Sequence, residues 1–506
     1  MHRICRTAGR SGSLTSEHIE NCIRLLRRHN ADVNLLDVNG DSCKAFLTGD
    51  VCLQRLLDED IQTVNIPSKI KWRQQSVKHR AVLSQVARGA KFRKVESYYH
   101  HENPIGKGSF SVVFPGVNGN DGREVALKRL EKVRLEERGV VLEREVKCLQ
   151  ELSNCPMVVN YITCICDANF EYIVVELMEG SLDAYLRCDQ ECEETFTICL
   201  SIASGIEFLH KKGVLHRDLK PQNILYNTNP SFSVKISDFG LSKILQTSQT
   251  RGESESVMHS KAGTRCWMAP ELLGKKPQNH SKASDIFSCG LLFHYVLSKK
   301  KHPFNLPSGA AFMKNAQQTE KNILKNKRCL CPSLSPEATD LLRNILLQDS
   351  KKRPEASSLQ HFPFFWDDRK KVEFLKSVGN QPEFEEPRQK LTRQLSDVEK
   401  KLESFYSKKR VWVANGWDTV IKEIYDDVTS GYSRRNYDTT SAVELVRFIR
   451  NSHVHVYNLS SESNKELLLE EFVFVKRFPL LVTDTYKAVK ASEKWKTRKD
   501  LRYFFR

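Results

Sequence analysis

His216-Arg217-Asp218-Leu219-Lys220-Pro221-Gln222-Asn223 places a carboxylate, a lysine two residues on and an amide three beyond that within one short loop. Phosphoryl transfer needs positioning and charge neutralisation more than covalent help. In that chemistry Asp218 stands near the attacking hydroxyl, Lys220 near the transferring phosphoryl, and Asn223 at a magnesium ion. Downstream, Asp238-Phe239-Gly240 supplies the main magnesium carboxylate and Ala269-Pro270-Glu271 closes the segment between. Upstream, Val125-Ala126-Leu127-Lys128 offers a strand lysine for the α- and β-phosphates, with Glu145 of Arg144-Glu145-Val146 on a helix placed to hold it. Further upstream, Ile105-Gly106-Lys107-Gly108-Ser109-Phe110-Ser111-Val112-Val113 reads as a glycine loop between two strands, its backbone free to close over phosphates. Alone it is a weak signal, because glycine pairs mark many hairpins and Ser111 stands where a third glycine is usual.

In this order the motifs resemble the eukaryotic protein kinase family, which implies a bilobal α+β fold binding ATP or ADP with Mg2+. The resemblance makes Ile105, Gly106, Gly108, Val113, Ala126, Lys128 and Glu145 nucleotide contacts or their supports. It makes Glu176-Leu177-Met178 the hinge, with the backbone at Glu176 and Met178 facing adenine, and Asn223 and Asp238 the metal ligands. Lys220 is the serine/threonine-kinase choice, and Asp285 and Arg353 stand where supporting polar contacts belong. Ser254, Ser256 and Ser260 are either phosphate acceptors for pairing with Arg217 or ordinary loop serines. A kinase fold without catalysis is the competing reading, and Ser111 is the residue that favours it.

The chain around this core has 506 residues, 40% hydrophobic and 28% charged, which excludes a wholly disordered chain, a collagen-like repeat and a membrane bundle. A formal charge of +17 favours a polyanionic partner such as RNA, nucleotide or an acidic membrane surface. Fifteen scattered cysteines form no paired CxxC knuckles and read as reduced thiols. Arg3, Arg6 and Arg10 interrupt any signal-peptide core and no window reaches the length of a membrane helix, so a cytoplasmic chain without a membrane span is expected. Residues 1–70 resemble an ankyrin remnant through Asn30-Ala31-Asp32-Val33-Asn34 and Asp37-Val38-Asn39-Gly40, with a protein or oligonucleotide as the implied partner. An ordinary helix and turn is the alternative there. Residues 71–97, acid-free from Lys71 to Lys94, read as a basic linker, 98–367 as the kinase domain, and 368–506 as an almost wholly helical extension.

In that extension Ser441 and Glu444 form a capping-box pattern, so a helix should start there with Ala442, Leu445, Val446 and Ile449 buried and Arg447, Arg450 and Asn451 on another face. Tyr437, these basic and amide groups, His453 and His455 gather what metal-free RNA cleavage requires: a proton acceptor for the 2′-hydroxyl, cations for the phosphorane and an acid for the 5′-oxygen. By spacing alone, a surface helix with stray basic residues is the better account of them.

The aromatic run His361-Phe362-Pro363-Phe364-Phe365-Trp366, then Trp417-Asp418, Tyr437, Arg450-Asn451 and a histidine four residues on, is similar to the kinase-extension nuclease family. Unfolded-protein sensors and ribonuclease L are its members. The resemblance, extended by Arg477-Phe478-Pro479 and Tyr486, implies His455 as general acid, Tyr437 as base or hydroxyl orienter, and Arg450 with Asn451 as phosphate contacts. It also implies a homodimer or higher oligomer gated by nucleotide, no metal at the nuclease centre, and 2′,3′-cyclic phosphate and 5′-hydroxyl products. His453 does not fall on the family's histidine position. A kinase whose tail only dimerises or docks is the alternative.

Overall fold

Short runs such as Val112-Val113-Phe114 and Tyr172-Ile173-Val174-Val175, broken by glycine and aspartate turns, suit pleated strands better than helices. The computed structural model describes residues 72–505 apart from 109–110, 133–138, 154, 188–193, 241, 245–262, 275–276, 306–315, 386–393, 409–415, 431–436 and 470–471. The ankyrin-like segment and Ser254, Ser256 and Ser260 therefore lie outside the described residues. Two units are present, 72–185 with 224–240 and 186–223 with 242–505.

The first unit begins with helix α1 (Arg80–Ala87), followed by strands β1 (Phe92–Val95), β2 (Tyr98–His101), β3 (Gly106–Lys107), β4 (Ser111–Asn118) and β5 (Glu124–Glu131). Helix α2 (Gly139–Glu151) precedes β6 (Tyr161–Cys166) and β7 (Phe170–Glu176). The strands form one antiparallel sheet in the order β1-β2-β4-β5-β7-β6, with β3 paired to β4. Because strand side chains alternate faces, Val125 and Leu127 pack with Val95, Tyr98, Tyr172 and Val174, while Ala126 turns to the opposite side with Leu83, Val86, Val117 and Leu177. Segment 224–240 adds an antiparallel pair, Ile224–Asn227 with Ser233–Ile236, edged by Gly180–Ser181.

Residues 72–97, expected as a linker, are built into this unit. β1 pairs with β2 along its whole length, and α1 buries Leu83, Val86 and Ala87 while Arg80 and Arg88 stay exposed. Of the basic side chains that made the segment read as a connector, Arg80 lies on the solvent face of the helix, while Arg73, Lys78, Arg88, Lys91, Arg93 and Lys94 are exposed on either side of it.

In the second unit α3 (Thr195–Lys211), α4 (Lys282–Leu297) and α5 (Pro336–Ile345) belong to the kinase portion. α4 is buried continuously from Ser284 to Val296, as a helix apolar all round should be. The extension comprises α6 (Asp368–Gly379), α7 (Asp397–Lys408), α8 (Lys422–Ser430), α9 (Ala442–Val454), α10 (Glu462–Leu469), α11 (Val473–Arg477) and α12 (Leu481–Lys490). The aromatic run before α6 anchors it: the Trp366 ring lies 5.2 Å from Phe374, 5.6 Å from Tyr486 and 5.4 Å from Phe504. Lys487 of α12 pairs with Asp340 of α5 at 3.0 Å. Among the described residues no helix is long and apolar enough to cross a membrane.

α9 differs from expectation in two ways. Ser441 caps it by accepting from the Glu444 N–H at 3.2 Å, but the Glu444 carboxylate pairs with Arg447 instead of reaching back, so the box is not reciprocal. Glu403 of α7 takes the place of that return bond, accepting from the Ser441 hydroxyl and from the N–H groups of Ala442 and Val443. Arg447 and Asn451, expected on another face than the buried stripe, are themselves each only 2% exposed because α9 is packed on several sides, against α6 and α7 among others.

Candidate active sites

In the first unit β5 carries Lys128, α2 brings Glu145 and the turn after Ile236 brings Asp238, whose φ of 64° is left-handed. The Lys128 Nζ donates to Glu145 Oε1 at 2.6 Å and to Asp238 Oδ1 at 2.9 Å. Burial opposes the ammonium, yet the two carboxylates outweigh it and hold its pKa above the ordinary lysine value. The Glu145 carboxyl is pushed up by its own burial, an effect that Lys128 partly offsets. Asp238 and Lys128 thus stand as a charged pair on a buried acid, the arrangement that presents a cation to phosphate. The glycine turn is closed by the Gly108 N–H donating to the Ser111 carbonyl at 2.8 Å, and a Cβ at Gly108 would meet the Ser111 hydroxyl at 3.1 Å. Ser111 therefore serves the turn through its backbone. Gly106 pairs with Val113, and Ile105 just before is 40% exposed. Val113, Ala126 and Leu177 share one apolar cluster beside the hinge. The Glu176 side chain is committed to structure, accepting from the Asn160 N–H and from Lys235 at 2.6 Å each, and its own N–H donates to the Asn160 carbonyl at 3.0 Å. Met178 is 5% exposed.

In the second unit Asp218, 7% exposed, is gripped on both oxygens. Oδ1 accepts from the Thr264 N–H at 2.8 Å and hydroxyl at 2.9 Å, and Oδ2 from Lys220 Nζ at 2.6 Å and Asn223 Nδ2 at 3.0 Å. Lys220 also donates to the Thr264 hydroxyl at 2.8 Å. Thr264 is the member the sequence reading missed; its place just before the Ala269-Pro270-Glu271 motif was the available signal. Beneath the loop, Asp285 accepts from the N–H groups of His216 at 2.9 Å and Arg217 at 3.0 Å and from His210 Nε2 at 3.1 Å. Burial would raise the Asp285 carboxyl, but His210, His216 and the Arg217 amide hold it below the usual range, so it stays anionic and fixes Arg217 at a φ of 71°. Arg353 grips Glu271 with two 2.7 Å bonds. The Asn223 amide nitrogen is committed to Asp218; each unit thus offers one hard oxygen donor of the chemistry Mg2+ takes, the Asn223 amide oxygen in the second and the Asp238 carboxylate in the first.

In the extension Tyr437 is 6% exposed, among Trp417, Tyr425 and Phe448, with the Arg447 guanidinium 4.5 Å over its ring. Its hydroxyl accepts from Asn451 Nδ2 at 2.9 Å, Asn451 Oδ1 accepts from Arg450 Nη1 at 2.7 Å, and Arg450 Nε donates to Asn380 Oδ1 at 2.8 Å. Three predicted residues are thereby joined in one hydrogen-bonded chain, and Asn380, at the end of α6, is an anchor the sequence reading did not name. His455 ends α9, its N–H donating to the Asn451 carbonyl at 3.0 Å; its half-buried ring has no hydrogen-bond partner among the described residues. His453 is different: its Nδ1–H donates to the Ile449 carbonyl at 2.9 Å and its ring lies 5.7 Å from Phe474. Burial pushes its pKa down, so it is a neutral packing residue. Trp417 is set by Gly416, whose φ is 78° and where a Cβ would lie 2.3 Å from Asp418 Oδ1 and 2.6 Å from the Thr439 hydroxyl.

Residues 99–365 match the protein kinase domain family, and residues 371–504 the ribonuclease 2-5A family. The chain is similar to the sensor for unfolded proteins in the ER ire1 of Schizosaccharomyces pombe, 30% identical over 440 residues covering 78% of this chain and 38% of that protein. It is 33% identical over 421 residues to the human serine/threonine-protein kinase/endoribonuclease IRE2, covering 76% and 42%. It is 30% identical over 390 residues to the serine/threonine-protein kinase/endoribonuclease ire-1 of Caenorhabditis elegans, covering 75% and 38%. Each match spans less than half the length of the relative.

Proposed function

Since the chain belongs to the kinase-extension nuclease family, a protein kinase domain running on into a ribonuclease 2-5A domain, we propose that it is a serine/threonine kinase coupled to a dimerisation-dependent, metal-independent endoribonuclease. The observation that carries the nuclease is the Tyr437–Asn451–Arg450 chain with the His455 ring open beside it.

In the kinase half, bound Mg2+ would neutralise phosphate charge, held by Asn223 and Asp238. Asp218, oriented by Thr264 and Asn223, accepts the hydroxyl proton; Lys220, already against it, steadies the transferring phosphoryl. Lys128 takes the α- and β-phosphates. In the nuclease half, Tyr437 accepts from Asn451, and its own O–H orients the ribose 2′-hydroxyl. The 2′-oxygen attacks phosphorus as its proton passes to a solvent water, Arg450 steadies the phosphorane, and the P–O5′ bond breaks as His455 gives a proton to the departing 5′-oxygen. The products are a 2′,3′-cyclic phosphate and a 5′-hydroxyl. The proposed donors include no carboxylate, the reason for reading the step as metal-independent. Nucleotide in the kinase half favours the dimer, which is the two-state element.

Cleavage of a fluorescent stem-loop RNA in EDTA tests this, with the protein titrated in the presence and absence of ADP, beside His455→Ala. Cleavage that rises more than linearly with protein and vanishes in the variant is expected. No cleavage from protein that autophosphorylates in magnesium ATP would leave a kinase with a docking tail.

A further inference from the structure

Upstream of residues 99–365, the segment from Trp72 to His79 is bound to the hinge of the first unit. Two buried acids receive it. Glu124, 6% exposed, accepts from Trp72 Nε1 at 2.9 Å and from the N–H groups of Gln75 at 3.0 Å and Ser76 at 2.7 Å. Glu179, 2% exposed and one residue beyond Met178, accepts from the Ser76 hydroxyl at 3.1 Å and from the N–H groups of Val77 at 2.7 Å and Lys78 at 2.8 Å. A buried carboxylate stripped of three donors is strongly penalised, so segment and hinge form one piece.

The segment also reaches the hinge backbone. His79 Nε2 donates to the Met178 carbonyl at 3.2 Å, and the next N–H, of Glu179, donates to the Tyr226 carbonyl at 3.0 Å. Both polar groups of the Met178–Glu179 peptide are therefore engaged, and its plane is fixed. The far end is tied as well: the Gln75 carbonyl accepts from Asn229 Nδ2 at 2.7 Å and the Arg73 N–H donates to the Gly122 carbonyl at 2.7 Å.

We propose that Trp72–His79 is part of the nucleotide site: a clamp in which Glu179 and His79 are positioning residues that orient the hinge backbone for adenine. His79 also occupies the Met178 carbonyl, leaving the other hinge groups to pair with the base. Because the backbone is held before the ligand arrives, less ordering is required on binding. The inference rests on the nucleotide-binding reading.

The full chain is titrated with ADP by calorimetry, and ATP dependence of autophosphorylation is measured, for wild type, His79→Phe, Ser76→Ala and Glu179→Gln. His79→Phe keeps ring bulk and removes one hydrogen bond. It is expected to raise the ADP Kd and the ATP KM by about three- to tenfold, the change falling on KM and not on kcat, a split that general loss of structure does not produce. Unchanged Kd and KM in folded His79→Phe and Ser76→Ala overturn the clamp, whether or not Glu179→Gln folds. A wild-type chain that binds no ADP would instead overturn the nucleotide reading, and the clamp with it.

Discussion

At the residue scale, what separates catalytic from structural groups is how their hydrogen bonds are committed. Asp218 is held on both oxygens by neutral donors and one lysine, so Asp218→Asn keeps the shape and loses the base. Phosphate transfer from labelled ATP is expected to fall by about 10²- to 10⁴-fold, while ADP binding by calorimetry persists. Asn451 joins Tyr437 to Arg450 from a buried position, and Asn451→Ala leaves both without that partner. A stability loss of about 1–3 kcal/mol in denaturant melts should accompany loss of RNA cleavage. Buried imidazoles set a pH dependence. Burial holds His302, bonded to the Cys266 carbonyl, down at about 3, and lowers His79, His100, His294 and His453 as well. The unfolded chain takes up these protons near pH ~6.5 and the folded one resists, so stability is greatest above that pH and falls as it drops. A melting temperature lower at pH 5.5 than at pH 7.5 is the expected outcome, with a smaller drop in His302→Phe.

At the element scale, helices of the extension are terminated by side chains from elsewhere in the sequence. Asp427 of α8 accepts from Ser460, Ser461 and Asn464 at the start of α10. Some desolvation acts against the charge, but these donors dominate and hold the carboxyl down at about 2. A depressed carboxyl contributes stability that is present above its unfolded pKa near ~3.9 and is lost as pH falls towards about 2. Asp427→Asn should therefore cost about 1 kcal/mol at pH 7 in chemical denaturation, with the difference from wild type shrinking below pH 4. Glu403 caps α9 in the same way from 38 residues earlier. That helix start was legible from Ser441, but the partner was not, because capping-box spacing concerns only local residues.

At the scale of the molecule, the later kinase helices and the extension belong to one unit, joined through Trp366, Phe374, Tyr486 and Phe504. Trp366 is 3% exposed, and Trp366→Ala should cost about 3–5 kcal/mol and reduce kinase and nuclease activity together. Separate melting of a kinase portion and an extension in calorimetry would contradict that coupling.

The grouping of Asp218, Lys220 and Asn223 was legible because they are close in sequence: they fall within one loop, and local spacing alone brings them together. The strand pattern of the first unit and the helical character of the extension were legible for the same reason, each being a periodicity of neighbouring residues. Long-range contacts were not. That Asn380 holds Arg450, that Thr264 holds Asp218, that Arg447 is buried over Tyr437, and that an acid-free stretch is the hinge's clamp are each decided by which surfaces exclude water together. Local sequence specifies which groups a segment can offer, while burial against a distant segment decides which of those groups are committed to structure and which are left for chemistry.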